Sequence, residues 1–480
     1  MDIGSRLFES GPNFDATAPS ELAGLSKALE AGYQIGAGRT GGSALRVESL
    51  DESLKVVTYN SNHIKLWKRI PKTPAYSTVE EWNELSSYGG AAFPFVGEGE
   101  LPQAADSSYA RRTTLVKYLG VVGEVTHQAS MIHPAHGNLI ALENQNKILW
   151  LLERMEQFLF TGDRTLAFSG EASQWDGLDS LIDPTSVIDL QGNPLQQADI
   201  EEASNLVIEN FGHATDLFLG TRTMSDLVKN FYPNQRVQLP APQNNQIGYT
   251  VSSMATQGGN LDFMPDVFLR QRPSPPVAAT SVNAPAPVTS VTAADNAVTT
   301  GDFNKAAPSG TNYYAYAVTA CNRFGESAPV FIGSAFAITQ TNKTAGHKIR
   351  LTITNAATLG AFLPEYFRIY RTKVAAATFT PTSTVTDYSL ISQIPTTSQT
   401  ASATITFDDG NLNLPFTSTA YVGEMSDQVL TFRQLMPMMK MDLAVLSPSF
   451  RWMILLYGTP IMFARKKWVR LINIGQLIGR

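Results

Sequence analysis

Cysteine is nearly absent. Cys321 stands alone in 480 residues, so no intrachain disulfide can form. Charge is scarce as well. Charged residues make up 16% of the chain against 43% hydrophobic, which points to a surface that is covered or built of neutral β-structure. The net charge of -6 gives no reason to expect a dedicated nucleic-acid binder, although a container need not grip its contents. No apolar run reaches membrane-spanning length. The nearest, residues 452–463, is too short and contains Gly458-Thr459-Pro460. The opening MDIGSRLFESGPNF has no signal-peptide h-region, so the expectation is a soluble protein made in the cytoplasm and not exported by the usual route. Histidines His63, His127, His133, His136, His213 and His347 form no metal-spaced set beyond the pair in HPAHG, and a lone pair without further ligands is more often a loop feature than a zinc site. Glu98 and Glu100 lack a histidine or metal ligand nearby and read as surface charge. There is no G-x-S-x-G, Walker loop or dinucleotide fingerprint. No enzyme activity, cofactor or metal is expected.

What the chain does have is a long amphipathic stretch at 138–160, NLIALENQNKILWLLERMEQFLF. Ile148, Leu151, Leu152, Met155, Phe158 and Leu159 recur at helical spacing. Glu143 and Lys147 sit in the favourable order for an exposed pair. Trp150 and Phe160 lie off the stripe, which suggests that more than one face is covered. Gly162 suits a left-handed C-terminal stop. Before this helix, 1–40 reads as an arm with one amphipathic piece, 20–31, carrying Leu22, Leu25 and Leu29. Residues 41–90 read as an extended β loop with strand runs at 45–47, 54–59 and 64–70. Its aromatic and charged residues make it a candidate subunit contact, against the plainer reading of a hairpin packed on its own domain. The candidates are Trp67, Tyr76, Trp82 and Tyr88, with Lys65, Lys68, Glu80 and Glu81. The lysines also fit solvated strand positions partnered by those glutamates. Residues 113–125 alternate well enough for long strands bent at Gly120 and Gly123.

After the helix, 165–270 reads as a compact α/β portion. Asp199 is placed as the cap of a helix running through Asn210, with Glu202 completing a capping box. DLFLG at 216–220 is a short buried strand, and a helix follows with Met224, Leu227 and Phe231 at helical spacing. The character then changes. Residues 271–420 begin with the proline-rich QRPSPPVAATSVNAPAPV and continue with strand candidates at 312–320, 330–339, 348–355, 366–372, 384–394 and 401–407. That rhythm predicts an inserted all-β sandwich, and TNYYAYAVTACNRFGESAPV and EYFRIYRTK resemble strands of immunoglobulin or fibronectin type III domains. Residues 421–480 supply further strand candidates at 429–435, 452–457, 461–464 and 468–474. They read as strands that close the domain begun before residue 270.

Set in order, these pieces resemble the major capsid protein of tailed bacteriophages, a fold shared with encapsulins. The likeness rests on AYSTVEEWNELSSYGG, FVGEGELPQAADSSYARRTTLVKYLGVVGEVT, the helix ending FLFTGD, WDGLDSLID with VIDLQGNPL, and RWMILLYGTPIMFARKKWVRLINIG. It spans most of 1–270 and 421–480, and the order of elements carries it rather than any one motif. It implies an α+β phage major-capsid fold: an N-terminal arm (1–40), an extended β loop (41–90), a peripheral domain with the spine helix (91–164), an axial domain (165–270), the insertion (271–420) and the return strands (421–480).

The implied function is structural. Hexamers and pentamers of the chain would tile an icosahedral shell around phage double-stranded DNA held without sequence-specific binding, and the insertion would face outward. The implied partners are other copies of the chain, a portal protein, a separate scaffolding protein and, optionally, a decoration protein, with no membrane. The place of action is the virion, after synthesis in the host bacterial cytoplasm. The loop over 43–89 would lie on a neighbour and bury Trp67, Tyr76 and Trp82, so deleting 41–90 is expected to leave a soluble, assembly-defective subunit. Some members of this family cross-link through lysine and asparagine; no such pair maps onto this sequence. Two rivals stay open: an encapsulin-like nanocompartment, and a tail or adhesion protein whose sandwich binds sugar.

Overall fold

The computed structural model describes residues 60–89, 95–101, 106–132, 138–167, 174–234, 251–445 and 447–477. The arm over 1–40, its amphipathic piece, the strand runs at 45–47 and 54–59, and the His133/His136 pair lie outside these residues. The chain divides into two units, 1–57 with 129–139, and 58–128 with 140–480. Nearly all the described residues belong to the second.

The elements run in order as α1 (Leu66–Arg69), β1 (Lys72–Pro74), β2 (Val79–Ser87), β3 (Ser108–Leu115), β4 (Lys117–Thr126), α2 (His127–Met131), α3 (Leu139–Thr161), α4 (Leu178–Leu181), β5 (Val187–Asp189), α5 (Gln197–Glu209), β6 (Asp216–Gly220), α6 (Thr221–Asn234), β7 (Ser253–Thr256) and β8 (Gly259–Asp266). Then come β9 (Ser290–Asn296), β10 (Asn312–Tyr314), β11 (Tyr316–Asn322), β12 (Gly325–Glu326), β13 (Val330–Phe331), β14 (Phe336–Ile338), α7 (Gln340–Thr344), β15 (Lys348–Thr354), β16 (Tyr366–Thr372), β17 (Tyr388–Pro395) and β18 (Thr404–Asp409). The chain closes with β19 (Ser418–Gly423), β20 (Leu430–Asp442), β21 (Ser449–Met462) and β22 (Trp468–Ile474). The result is an α+β chain.

Two sheets flank the long helix. One has the order β1-β20-β21-β4 and the other β5-β22-β19-β6-β8-β7. Both join strands from before residue 270 to strands after 417, so the last stretch of sequence completes sheets begun by the first. Helix α3 buries Leu151, Met155, Leu159 and Phe160. Its core reaches Leu430, Phe432, Leu456 and Met462 on the first sheet and Phe218, Tyr421 and Trp468 on the second. Aromatic rings pack in sequence there: Phe160 stacks on Tyr421 at 5.4 Å, and Phe218 on Trp468 at 6.3 Å. Their polar ends are satisfied, with Tyr421 Oη donating to Asp179 and Trp468 Nε1 to the Glu424 carbonyl, as buried Tyr and Trp require. A second core, on the other sheet, holds Ile200, Ala203 and Val207 of α5 against Leu217, Leu219, Val422 and Leu471.

Several local expectations change. The helix covers Leu139–Thr161 and the Glu143–Lys147 pair forms at 3.0 Å, but Trp150 is 40% exposed while Phe160 is buried. Gly162 does not take a left-handed conformation. It is small because a Cβ there would stand 2.5 Å from the Phe158 carbonyl and 2.6 Å from that of Trp175. Helix α5 starts at Gln197, and Asp199 serves from inside it by accepting the Gln196 N–H. The 113–125 run breaks at Val116. Gly120 and Gly123 lie within β4, where they admit the Leu455 and Trp452 side chains. Strand β21 runs unbroken through Gly458-Thr459-Pro460. It can do so because its pairing with β4 stops at Gly458, which leaves β20 as the only neighbour beside the proline.

Between β8 and β19 the strands form sheets of their own: β12-β11-β16-β17 with β13 also on β11, β18-β15-β9, and the pair β10-β14. Their buried side chains, including Phe303, Tyr316, Ile349, Leu351, Phe367 and Ile369, make one core. The strand β9 falls in a stretch for which the sequence suggests no element, and residues 418–420, counted with the insertion on sequence grounds, belong to β19 of the six-stranded sheet. Cys321 is buried beside Thr319 on β11, and burial pushes its thiol up to about 12, which disfavours the reactive thiolate.

Candidate assembly interface

Among the described residues, strands β2 and β3 pair only with each other. They form a two-stranded antiparallel ribbon whose register sets Val79 opposite Leu115 and Leu85 opposite Tyr109. Residues opposite one another share a face. One face therefore carries Val79, Glu81, Asn83, Leu85, Tyr109, Arg111, Thr113 and Leu115. Its four apolar members are between 40% (Val79) and 71% (Tyr109) exposed. The opposite face carries Glu80, Trp82, Glu84, Ala110, Arg112 and Thr114 and is partly covered. Tyr76 and Tyr88, just outside the two ends of β2, are 87% and 86% exposed. A lone two-stranded hairpin is marginal in water, and this one exposes two apolar pairs, Val79 with Leu115 and Leu85 with Tyr109, separated on the same face by Glu81, Thr113, Asn83 and Arg111.

The ribbon is held at its base. Ala75 is buried and donates its N–H to Gln434, while Val116 donates to the Thr78 carbonyl. Trp82 rests edge-on against Phe463 at 5.6 Å. Glu81 pairs with Arg111 at 3.5 Å and Glu84 with Arg112 at 3.0 Å, both across the ribbon and both exposed enough to be worth little in stability.

Preceding the ribbon, the run at 64–70 is helical rather than extended, and its cause lies far off in sequence. The buried Glu156 carboxylate of α3 accepts the N–H groups of Lys65, Leu66 and Trp67 at 2.8, 2.6 and 2.9 Å. Three converging N–H groups are what the start of a helix offers. Glu156 also meets Asp266, whose carboxyl is pushed up to about 8, first by burial and then by the adjacent Glu156 charge and their mutual hydrogen bond. Burial and the neighbouring Glu156 charge thus favour the protonated form of Asp266.

The eight residues singled out by sequence thus separate. Trp67 belongs to the chain's own core: it packs at 4.9 Å against Phe432, beneath the Lys72 ammonium. Lys65 sits in the Glu156 clamp, and Lys68 donates to the Ser61 carbonyl. Glu80 accepts the Tyr76 N–H and Glu81 holds Arg111. The Tyr76 and Tyr88 side chains are exposed, and Trp82 is half-buried. Val79 and Leu85 escape a search confined to aromatic and charged residues, and Tyr109 and Leu115 escape it because they lie on β3, beyond the 41–90 stretch. Their period-two alternation on both strands was the available signal. Among the described residues no three His, Cys, Asp or Glu side chains converge to hold a metal, and no helix is long and apolar enough to cross a membrane.

The sequence profile of the family described as SU10 major capsid protein matches residues 34–309. The major capsid proteins of Staphylococcus phage K and Staphylococcus phage S25-3 are each 27% identical over 466 residues, covering 93% of this chain and 94% of theirs. Among solved structures, a chain of Gordonia phage Cozz is 10% identical with a TM-score of 0.45, covering 92% of this chain and 96% of its own. An encapsulin of Synechococcus elongatus is 9% identical with a TM-score of 0.41, covering 89% and 94%. Structural likenesses of that size add nothing to the assignment, which rests on the family profile. The chain belongs to the SU10 major capsid protein family.

Proposed function

We propose that this structural capsid protein assembles as hexamers and pentamers into an icosahedral shell around phage double-stranded DNA, with the ribbon of β2 and β3 lying over a neighbouring copy. The observation that carries this is the ribbon itself: two strands without a core, exposing Val79, Leu85, Tyr109 and Leu115. Contact with a neighbour would cover that face and satisfy the free strand edges. In this reading DNA is enclosed without sequence-specific binding, in keeping with the mild net charge of -6. A portal protein, a separate scaffolding protein and an optional decoration protein complete the virion, and synthesis is in the host bacterial cytoplasm. The 271–417 module is read as an immunoglobulin-like domain on the outer surface, supported by its separate sheets around one core.

Deleting 41–90 is a poor test, because it removes Leu66 and Ile70 from the central core. The quadruple variant Val79→Ser, Leu85→Ser, Tyr109→Ser, Leu115→Ser leaves that core intact. It is expected to stay folded by circular dichroism and to form no shells in negative-stain micrographs. Normal shells from this variant would refute the proposal.

A further inference from the structure

Where the chain leaves β8 for the inserted module and returns to β19, a cavity of about 750 Å³ opens. Four arginines line it: Arg270, whose Nε donates to the Val267 carbonyl, and three from different parts of the molecule, Arg272 from the outgoing segment, Arg368 from β16 of the module, and Arg470 from β22 of the six-stranded sheet. Arg470 Nη1 donates to the Asp179 carbonyl and carboxylate at 3.2 and 3.1 Å. Arg368 Nη1 reaches Glu326 at 2.7 Å. Arg272 has only a neutral side-chain partner, donating from Nη2 to Asn413 Oδ1 at 2.8 Å, and no carboxylate lies within ion-pairing distance of it among the described residues. The Nε atoms of all three are buried without a partner.

The single negative charge of Asp179 cannot balance both Arg470 and Arg272, and its carboxylate also accepts the Tyr421 hydroxyl. Asp163, the other carboxylate in the wall, is occupied by the Thr165 N–H and hydroxyl. Arginine does not deprotonate in proteins and presents five N–H donors in a fixed fork, so an unbalanced fork in a cavity wall requires a counter-charge. Burial lowers the Arg272 pKa, and the Arg470 charge adds to this against the pull of Asp179. The cavity size lies within the range of small-molecule sites. A phosphoryl anion, with three or more acceptor oxygens, can engage more guanidinium forks than a carboxylate with two.

We propose that this cavity binds a phosphoryl anion between Arg272, Arg368 and Arg470. Because the three come from the linking segment, the module and the parent sheet, a bound anion fixes the module against the body of the subunit and stabilises the folded chain by mass action. The site is independent of the ribbon and of how copies assemble.

The test is calorimetric titration of the full-length protein in chloride buffer with orthophosphate, pyrophosphate and a sugar phosphate. Saturable binding of any of these supports the site, and the tightest of the three identifies the source. Arg272→Gln is expected to weaken binding at least tenfold. Arg272→Lys, which keeps the charge and removes the fork, covers the case in which the glutamine variant fails to fold. Arg368→Gln should weaken binding from the module side, and Arg154→Gln on α3 should leave it unchanged. No saturable binding, equal affinity for acetate, or affinity unaltered by Arg272→Lys and Arg368→Gln would overturn the proposal.

Discussion

The ribbon of β2 and β3 and the module between β9 and β18 are both antiparallel β-structure outside the helix-centred core, yet only the module has an interior. Strand β11 is buried at every position, and a buried ion pair sits within the module. Arg371 meets Asp409 at 2.6 Å while Tyr316 donates to the same carboxylate. The ribbon has no buried residue on either strand. Its ion pairs cross the surface, and its apolar residues face outward. The module therefore carries its own stability, whereas order in the ribbon depends on its base and on whatever covers its open face.

The sharpest way to break this contrast is to cut into the module. Phe367→Ala removes a fully buried ring and is expected to cost about 3–5 kcal/mol in urea denaturation. A smaller loss is expected from Glu156→Ala, which strands three N–H groups at the foot of the ribbon. The cost is about 2–3 kcal/mol, measured the same way. The third test is pH. The Asp266 carboxyl is raised to about 8 in the folded chain from about 3.9 unfolded. Between these values the folded state holds the extra proton, so the stability this group contributes is complete below about pH 4 and is lost as pH rises through about 8. Asp266→Asn should flatten that part of the pH–stability profile. The smallest effect on folding belongs to the ribbon. Leu85→Ser or Tyr109→Ser should change subunit stability by no more than about 0.5 kcal/mol, while lowering shell yield in light scattering. A ribbon substitution as costly as Phe367→Ala would erase the distinction.

Sequence and structure agree where one segment contains its own cause. The spine helix, β6 at Asp216–Gly220, β16 at Tyr366–Thr372 and β22 at Trp468–Ile474 follow from periodicity and apolar runs alone. Where the cause lies elsewhere in the chain, the pattern misleads. The turn at Leu66–Arg69 exists because Glu156 captures its N–H groups from α3. Strand β9 exists because β15 offers a full ladder to SVTAADN, in which Val291 is the only buried side chain. The candidate interface was half legible for the same reason. Aromatic content pointed to the stretch that carries β2, but Trp67 is consumed by Phe432 across more than 360 residues of sequence, and the face that remains open is defined by the pairing of Leu85 with Tyr109 and Val79 with Leu115.

The central claim is that the ribbon is completed by a neighbouring copy. Hydrogen exchange followed by mass spectrometry on residues 79–87 and 108–115, in unassembled subunits and in shells, tests it most directly. Rapid exchange in the subunit and strong protection in the shell are predicted; the same slow exchange in both states would contradict it.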